Sequence, residues 1–424
     1  MNGRIQYIAF FVFCFAIVFE NSPLSSLGGV FTASLGVVFI PLFLFYGIAN
    51  YRGIRRYELV AIVGAVLFLF YSLVMLMFVG EYDAGFIVDR GMRFFLIHSV
   101  PLLVFLIFMR YDYEVLKLGS LVVFLVVALS FILNLAMPDF INSESPIQAS
   151  PAFSPHRMRG FTLEASTYGF QMILAASMVA IAYPSMKYVS IVFLVLGSLL
   201  VGSKGMPLSI LFSLFVASVL YNRLPLSAKF LIFTPLLVAV MYFSSDELYS
   251  VFQSDIERYN SVATRSAVML TALLSVKDNI LGAGYFGFLP SIYENGQQAI
   301  SILNSWFPNM LNFSEFSNYL YAGAVEGVST KTLFFDWLIF GGLLFLYLYI
   351  KGGVYVFHKL CLVKSFPLMY LFVFLILSTS TYITVESKYI AIMALVFLLK
   401  SADNKIKEKS VANSRDKDQS VFVN

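Results

Sequence analysis

The chain has 424 residues, of which 59% are hydrophobic, 17% aromatic and 12% charged, with a formal net charge of +4. Its mean hydropathy of +0.84 exceeds what one soluble core hides and excludes a water-soluble globular protein. The lack of a basic stripe outside the C-terminal tail excludes nucleic acid as a partner. The two cysteines, Cys14 in the first apolar segment and Cys361 on the side opposite the large loops, are not placed to pair, which excludes a disulfide framework.

At the N-terminus, Arg4 precedes the apolar stretch 5–19 in the order of a signal peptide. That stretch ends in Phe19-Glu20-Asn21-Ser22-Pro23, without a small-x-small cleavage site, so an uncleaved anchor is expected. A span needs about 20 mainly apolar residues, fewer where the flanks snorkel. About twelve segments qualify on that rule: 5–19, 27–50, 59–79, 94–109, 115–137, 166–183, 188–202, 206–221, 230–243, 333–350, 366–382 and 389–400. The expected fold is an all-α polytopic integral membrane protein. Spans one to nine form a bundle over 1–243 with an outer loop at 138–165. A large loop domain follows over 244–332, then spans ten to twelve over 333–400 and a polar, disordered tail over 401–424.

Short-loop cations orient the bundle. Arg52, Arg55 and Arg56 follow the second segment, Arg110 and Lys117 flank the turn after the fourth, and Lys187 follows the sixth. Arg223 and Lys229 follow the eighth, Lys351, Lys359 and Lys364 the tenth, and Lys405, Lys407 and Lys409 lie in the tail. With alternating spans these all fall on one side, which places both termini in the cytoplasm.

The opposite face holds three segments of note. The loop 138–165 carries Pro146, Pro151 and Pro155 and then Arg157-Met158-Arg159-Gly160-Phe161-Thr162-Leu163-Glu164. A tight turn follows at Gly202-Ser203-Lys204-Gly205. The stretch 244–332 is helical in character over 261–276 and turns over 278–287. Its Trp306, Phe307, Phe313, Phe316, Tyr319 and Tyr321 suit a membrane-interface belt better than a sugar-stacking platform. Gly282-x-Gly284-x-x-Gly287 matches a dinucleotide fingerprint in letters only, with no strand before it, and reads as a turn. Asn312-Phe313-Ser314 is a glycosylation sequon with meaning only in a eukaryotic secretory route. His98, His156 and His358 fall in a span and on opposite faces, so they do not make one metal site.

Arginine presents a planar, always-charged fork that grips phosphate oxygens in pairs. Arg157, Arg159, Arg258, Arg265, Lys204 and Lys331 all fall on the outer face and together suit a diphosphate. Glu164 suits removal of a proton from an attacking hydroxyl. The competing reading is that these groups satisfy loop carbonyls, pair with Asp255, Glu257 or Asp278, or meet lipid headgroups.

Arg159-Gly160-Phe161-x-x-Glu164-x-Ser166-x-x-Gly169 resembles a segment of the O-antigen polymerase and ligase superfamily. Ser203-Lys204-Gly205 is similar to that family's S-R/K-G turn, and Arg265 followed by Leu281-Gly282-Ala283-Gly284 to its Arg helix and G-x-G turn. Gly327-x-Ser329-x-Lys331, then Asp336 and Gly341-Gly342, occupies the place of the family's His-Asn pair and Gly-rich span. With span number and the outer loop, the resemblance covers nearly the whole chain. It implies a bacterial inner-membrane glycosyltransferase with no metal and no cofactor. Its donor and acceptor would be oligosaccharides linked to undecaprenyl diphosphate, its setting the lipid bilayer, and a chain-length regulator a partner the reading admits. Arg159 and Arg265 would hold the diphosphate, with Arg157, Arg258, Lys204 and Lys331 in support and Glu164 as base. His156, the outer-face histidine, is a further substrate-binding candidate. Ligases of this family carry a histidine late in the large loop; 244–332 has none, which favours a polymerase. A flippase or transporter remains as the rival from another class, although no repeat relates the two halves.

Overall fold

The computed structural model describes residues 3–25, 34–49, 53–80, 82–152, 154–203, 205–221, 223–243, 261–308, 310–321, 323, 328, 330, 332–381 and 388–421. Among these the regular elements are all helices. They run α1 (Gly3–Ala16), α2 (Gly36–Ala49), α3 (Arg56–Leu76), α4 (Ala84–Phe108), α5 (Tyr113–Ala136), α6 (Pro138–Asn142), α7 (Ala165–Ala182) and α8 (Lys187–Leu200). Then follow α9 (Gly205–Leu220), α10 (Leu226–Phe243), α11 (Ser261–Asp278), α12 (Phe288–Trp306), α13 (Ser314–Ser317), α14 (Leu333–Val363), α15 (Phe366–Thr381) and α16 (Lys388–Val421).

In hydrocarbon a backbone must satisfy its own polar groups, so apolar stretches of this composition become helices. Each predicted apolar segment overlaps one of them, with 27–33 and 50 of the second and 382 of the eleventh outside the described residues. Five, namely α3, α4, α5, α7 and α14, are long and apolar enough to cross a membrane. The chain is a helical membrane protein. Shorter apolar helices accompany them among the described residues: α1, with 14 residues, is roughly 21 Å long at 1.5 Å per residue, against a bilayer core of about 30 Å.

Two apolar clusters organise the packing. One joins α1, α2, α5, α7, α15 and α16 around Phe10, Phe13, Tyr168, Met172, Phe374 and Phe397. The other joins α11, α12 and α13 to the first half of α4 and the start of α14 around Val268, Phe288, Phe316 and Phe340. Much of the expected loop domain is therefore packed on the spans; its first part, 244–260, lies outside the described residues. The six aromatics divide accordingly. Phe313, Phe316 and Tyr319 are buried, whereas Trp306, Phe307 and Tyr321 are exposed.

The span predicted at 333–350 is longer and is broken. α14 runs to Val363, and Gly342 departs from helical geometry with φ 52° and ψ −139°. From 343 to 363 the helix rises roughly 31 Å, one bilayer core. Lys351 and Lys359, expected in a loop, therefore lie within the helix. Their long stems let the charged heads leave the apolar surface. Lys351 sits over the Tyr347 ring, and Lys359 pairs with Asp403 at 2.6 Å. Cys361, also expected in a loop, is in the same helix and exposed.

The Gly282–Gly287 turn fills the break. Ala283 N–H donates to Ile339 O (2.8 Å), Gly284 N–H to Phe340 O (2.9 Å) and Leu343 N–H to Ile280 O (2.8 Å). On the far side Tyr71 of α3 donates to Gly282 O at 2.6 Å, and Ser72 Oγ accepts from Tyr285 N–H at 3.1 Å.

The tail corrects the expectation of disorder, because α16 continues through it to Val421. The physical reason is the C-terminus of α14, whose carbonyls need donors. Lys409 Nζ donates to Leu362 O (3.2 Å) and Val363 O (2.6 Å), and Lys405 Nζ to Ser365 Oγ at 3.1 Å. Hydrogen bonds to charged groups contribute about 1.5–3 kcal/mol each, discounted here for partial exposure. Truncation after Lys400 is thus expected to cost roughly 2 kcal/mol and lower the melting temperature in detergent by several degrees. A melting curve identical to that of the full chain would refute the clamp.

Candidate functional site

The connection from α5 to α7 is folded onto the helix ends. Asn134 Oδ1, in the last turns of α5, accepts from Arg159 N–H (3.2 Å) and Gly160 N–H (2.9 Å). Gly160 has φ +53°, and a Cβ there would sit 2.3 Å from the Tyr168 ring, so the residue after the arginine has to be glycine. The chain leaving α1 is woven into the same layer. Glu20 N–H donates to Phe161 O (2.9 Å), Ala149 N–H to Asn21 O (2.6 Å), and the Phe19 and Phe161 rings stack at 4.3 Å.

Arg159 is 2% exposed. Its Nε and Nη2 donate to Ile141 O at 3.1 and 2.8 Å, and Nη2 also to Ser150 O at 2.8 Å. Nη1 is buried and has no partner among the described residues. Burial pushes the guanidinium down from its usual value, yet an arginine in a protein stays charged. Four donated bonds, one from its backbone, thus make Arg159 the pin of this loop. The surface around it is carried by its neighbours. His156 is exposed and Arg157 half-buried. The Arg157 stem lies on Gly202, whose Cβ would be 3.1 Å from Arg157 Cγ. The motif loop and Gly202 therefore meet in space. Glu164 is exposed at the start of α7; its extended backbone makes no cap bond, and its Oε2 accepts from Ser166 Oγ at 3.1 Å.

Arg265 lies one turn into α11, half-buried, beside Thr264, whose hydroxyl donates to Glu315 Oε2 at 3.2 Å. That places it with the second apolar cluster, and Arg157, Arg159 and Glu164 with the first. Lys204, Arg258 and Lys331 lie outside the described residues.

Two further cations lie on α4, which begins at Ala84, ten residues before the predicted segment, and carries Arg90 and Arg93 in its N-terminal half. Arg93 Nε pairs with Asp89 at 2.9 Å and Arg90 Nε at 3.5 Å. Burial pushes the Tyr293 phenol of α12 up to about 12, against a smaller pull from the Arg90 charge. α4 meets α12 where the Phe94 and Phe288 rings pack 4.8 Å apart, so Arg90 and Arg93 lie on a helix that packs against the hairpin carrying Arg265. The signal was in the sequence as Asp89-Arg90-x-x-Arg93, but three charges in five residues end any apolar window.

The chain is 31% identical over 401 residues to an uncharacterized 49.5 kDa protein in the cps region of Klebsiella pneumoniae, a match covering 93% of this chain and 92% of that protein. It belongs to the same family as that protein. No family model matches the chain, and no solved structure matches it.

Arg159→Ala would leave the buried Ile141 carbonyl without its donors, at about 1–3 kcal/mol, and Ser150 O with the 3.4 Å bond from Asn21 Nδ2 in place of the 2.8 Å one from Arg159. The variant is expected to melt several degrees lower and to lose activity with its fold. Arg157→Ala removes only a stem on Gly202 and is expected to keep the wild-type melting temperature while activity falls about 10²–10³-fold. Equal melting temperatures for both variants would refute the division of roles.

Proposed function

We propose that this chain polymerises oligosaccharide repeat units linked to undecaprenyl diphosphate into O-antigen or a related surface polysaccharide, at the outer face of the bacterial inner membrane, with both termini in the cytoplasm. The observation that carries the proposal is kinship along nearly the full length with a protein in a cps, or capsule polysaccharide, region. That places this helical membrane protein loosely in surface-polysaccharide biosynthesis. The outer-face arginines and the motif resemblance supply the specific activity.

In this reading an acceptor hydroxyl attacks the anomeric carbon of the donor, a new carbon–oxygen bond forms, and the bond to the diphosphate breaks. Glu164, exposed and uncommitted to a helix cap, takes the hydroxyl proton. The leaving diphosphate gains charge, and preorganised cations aimed at it are worth about 10²–10³-fold each. Arg157 and Arg265 serve as those cations among the described residues, Arg90 and Arg93 add to the field, and Arg159 acts as the positioning residue that holds the loop. Lys204, Arg258 and Lys331 are assigned to the diphosphate as well, and His156 to the sugar.

The broken helix α14 favours the rival flippase, because transporters bind substrates at interrupted spans. That role needs backbone groups open to a ligand. The Ile339 and Phe340 carbonyls and the Leu343 amide are already taken by the 280–284 turn, so the break serves packing. A ligase is disfavoured by the absence of histidine from 244–332.

Deletion of the gene in the source bacterium, read by gel separation of its surface polysaccharide, separates the three. A single repeat unit where the wild type shows a ladder is the expected result. Core with no repeat would refute the polymerase, and lipid-linked polymer accumulating outside would single out the ligase. Complementation with Arg265→Ala is expected to leave the single-unit phenotype, and Arg265→Lys to restore little of the ladder, because lysine lacks the paired fork.

A further inference from the structure

A second charged cluster lies at the C-terminal end of α14, where three parts of the chain meet. An open cavity of about 720 Å³, within the range of ligand sites, lies among the α9–α10 connection, the α14–α15 turn and α16 at 405–409. Four cations line it: Arg223 from the first, Lys364 from the second, Lys405 and Lys409 from the third. Glu408 is the one carboxylate in its wall.

Three observations separate this cluster from basic residues scattered beside a span. First, its positive charge is unmatched. Glu408 Oε1 accepts from Asn404 Nδ2 at 2.8 Å, and none of the four cations pairs with a carboxylate among the described residues. Arg223 and Lys364 are exposed, and their side chains make no hydrogen bond among the described residues. Lys405 and Lys409 are held in place on Ser365 Oγ and on the Leu362 and Val363 carbonyls. An ammonium has three donors, so each keeps some free. Burial pushes Lys405 down from its usual value, Glu408 opposes that shift and the Lys409 charge adds to it. An anion among these groups would offset the penalty.

Second, Lys364 stands where glycine is the usual residue. Its φ of 58° and ψ of 50° are left-handed, and it is the one non-glycine residue with positive φ among the described residues. A side chain directly after a helix in this conformation is strained. The α14 dipole favours a cation at this end, but Lys409 already serves the last carbonyls. A side chain kept against its backbone preference points to a use for its charge. Third, the cavity lies at headgroup depth. From 343 to 363 α14 rises roughly 31 Å, one bilayer core, so Lys364 follows where hydrocarbon ends. Tyr221 and Phe366, with rings 5.7 Å apart, give the cavity the aromatic edge common at that boundary. Tyr221 also donates to Lys364 O at 3.0 Å.

We infer that this cavity binds phosphate in the form of an anionic phospholipid headgroup drawn from the surrounding leaflet. The Arg223 fork suits the two open oxygens of a phosphodiester, and the three lysines add point charges. Val363, Phe366 and Pro367 supply apolar wall for the glycerol and acyl part of the same molecule. A soluble phosphate would meet the same cations but leave that wall uncovered. The headgroup would tie the α9–α10 connection, the α14–α15 turn and α16 together. Only a place in a membrane is required of the chain, so the site is independent of the polymerase activity proposed above.

The test uses the purified full chain in nanodiscs of dioleoyl phosphatidylcholine, alone or mixed with dioleoyl phosphatidylglycerol. Melting temperature and native mass spectrometry of the retained lipid are the readouts. The wild type is expected to retain phosphatidylglycerol in preference to phosphatidylcholine and to melt several degrees higher in its presence. A basic residue near an anionic headgroup is worth about fivefold in affinity, so Arg223→Gln and Lys364→Gly are each expected to cut retention about fivefold. Lys364→Gly also removes the backbone strain and is expected to melt no lower than the wild type in phosphatidylcholine alone, which separates lost binding from lost fold. Lys187→Gln removes an exposed cation at the start of α8, outside the cavity, and is expected to leave retention unchanged. Equal retention of the two lipids by the wild type overturns the inference, as does undiminished retention by the folded Arg223→Gln and Lys364→Gly variants. A melting temperature raised by inorganic phosphate in phosphatidylcholine nanodiscs, with no preference for phosphatidylglycerol, would overturn the lipid as the source and give the cavity to a soluble phosphate.

Discussion

A helix interrupted at the edge of a bilayer presents backbone groups that hydrocarbon cannot satisfy, and this chain answers by laying one turn of another segment into the interruption. The 280–284 turn and the 339–343 break exchange three backbone hydrogen bonds. The approach is so close that a Cβ on Gly342 would lie 2.2 Å from Ile280 O, and one on Gly282 2.4 Å from Phe340 O. Both glycines also have positive φ, so space and backbone conformation demand the same residue. The consequence reaches outward. α11 and α12 flank the turn, and their position over α3, α4 and α14 follows from it. Arg265 is carried by a hairpin fixed to the spans, and α4, which carries Arg90 and Arg93, meets the same hairpin where Phe94 packs on Phe288.

The connection from α5 to α7 depends on a buried charge. Taking a guanidinium from water costs several kcal/mol unless its donors are met. Here the carbonyls of Ile141 and Ser150 meet those on Nε and Nη2, and Asn134 holds the backbone beside it. Arg159 thereby fixes the loop on which Arg157 and Glu164 ride. A site that develops charge gains from groups that need not reorganise, and a short loop keeps such groups fixed only if something rigid lies beneath it. The buried arginine supplies that rigidity.

These two cases show what the residue letters carry and what they do not. Apolar segments are legible because composition alone forces them into helices. Their ends are less so. Arg90 and Arg93 cut short the reading of α4, and Lys351 and Lys359 that of α14, since snorkelling side chains look like loop charges. The tail looked disordered because its letters are polar and mixed, yet the α14 carbonyls that its lysines satisfy belong to another helix and leave no local trace. The motif arginines were legible as a pair but not in their division of labour. One clue was present. Pro146, Pro151 and Pro155 each keep a carbonyl while removing an N–H, so the loop has surplus acceptors. Arg159 at Ser150 O and Asn142 Nδ2 at Pro155 O, 2.7 Å away, are donors that such a loop requires.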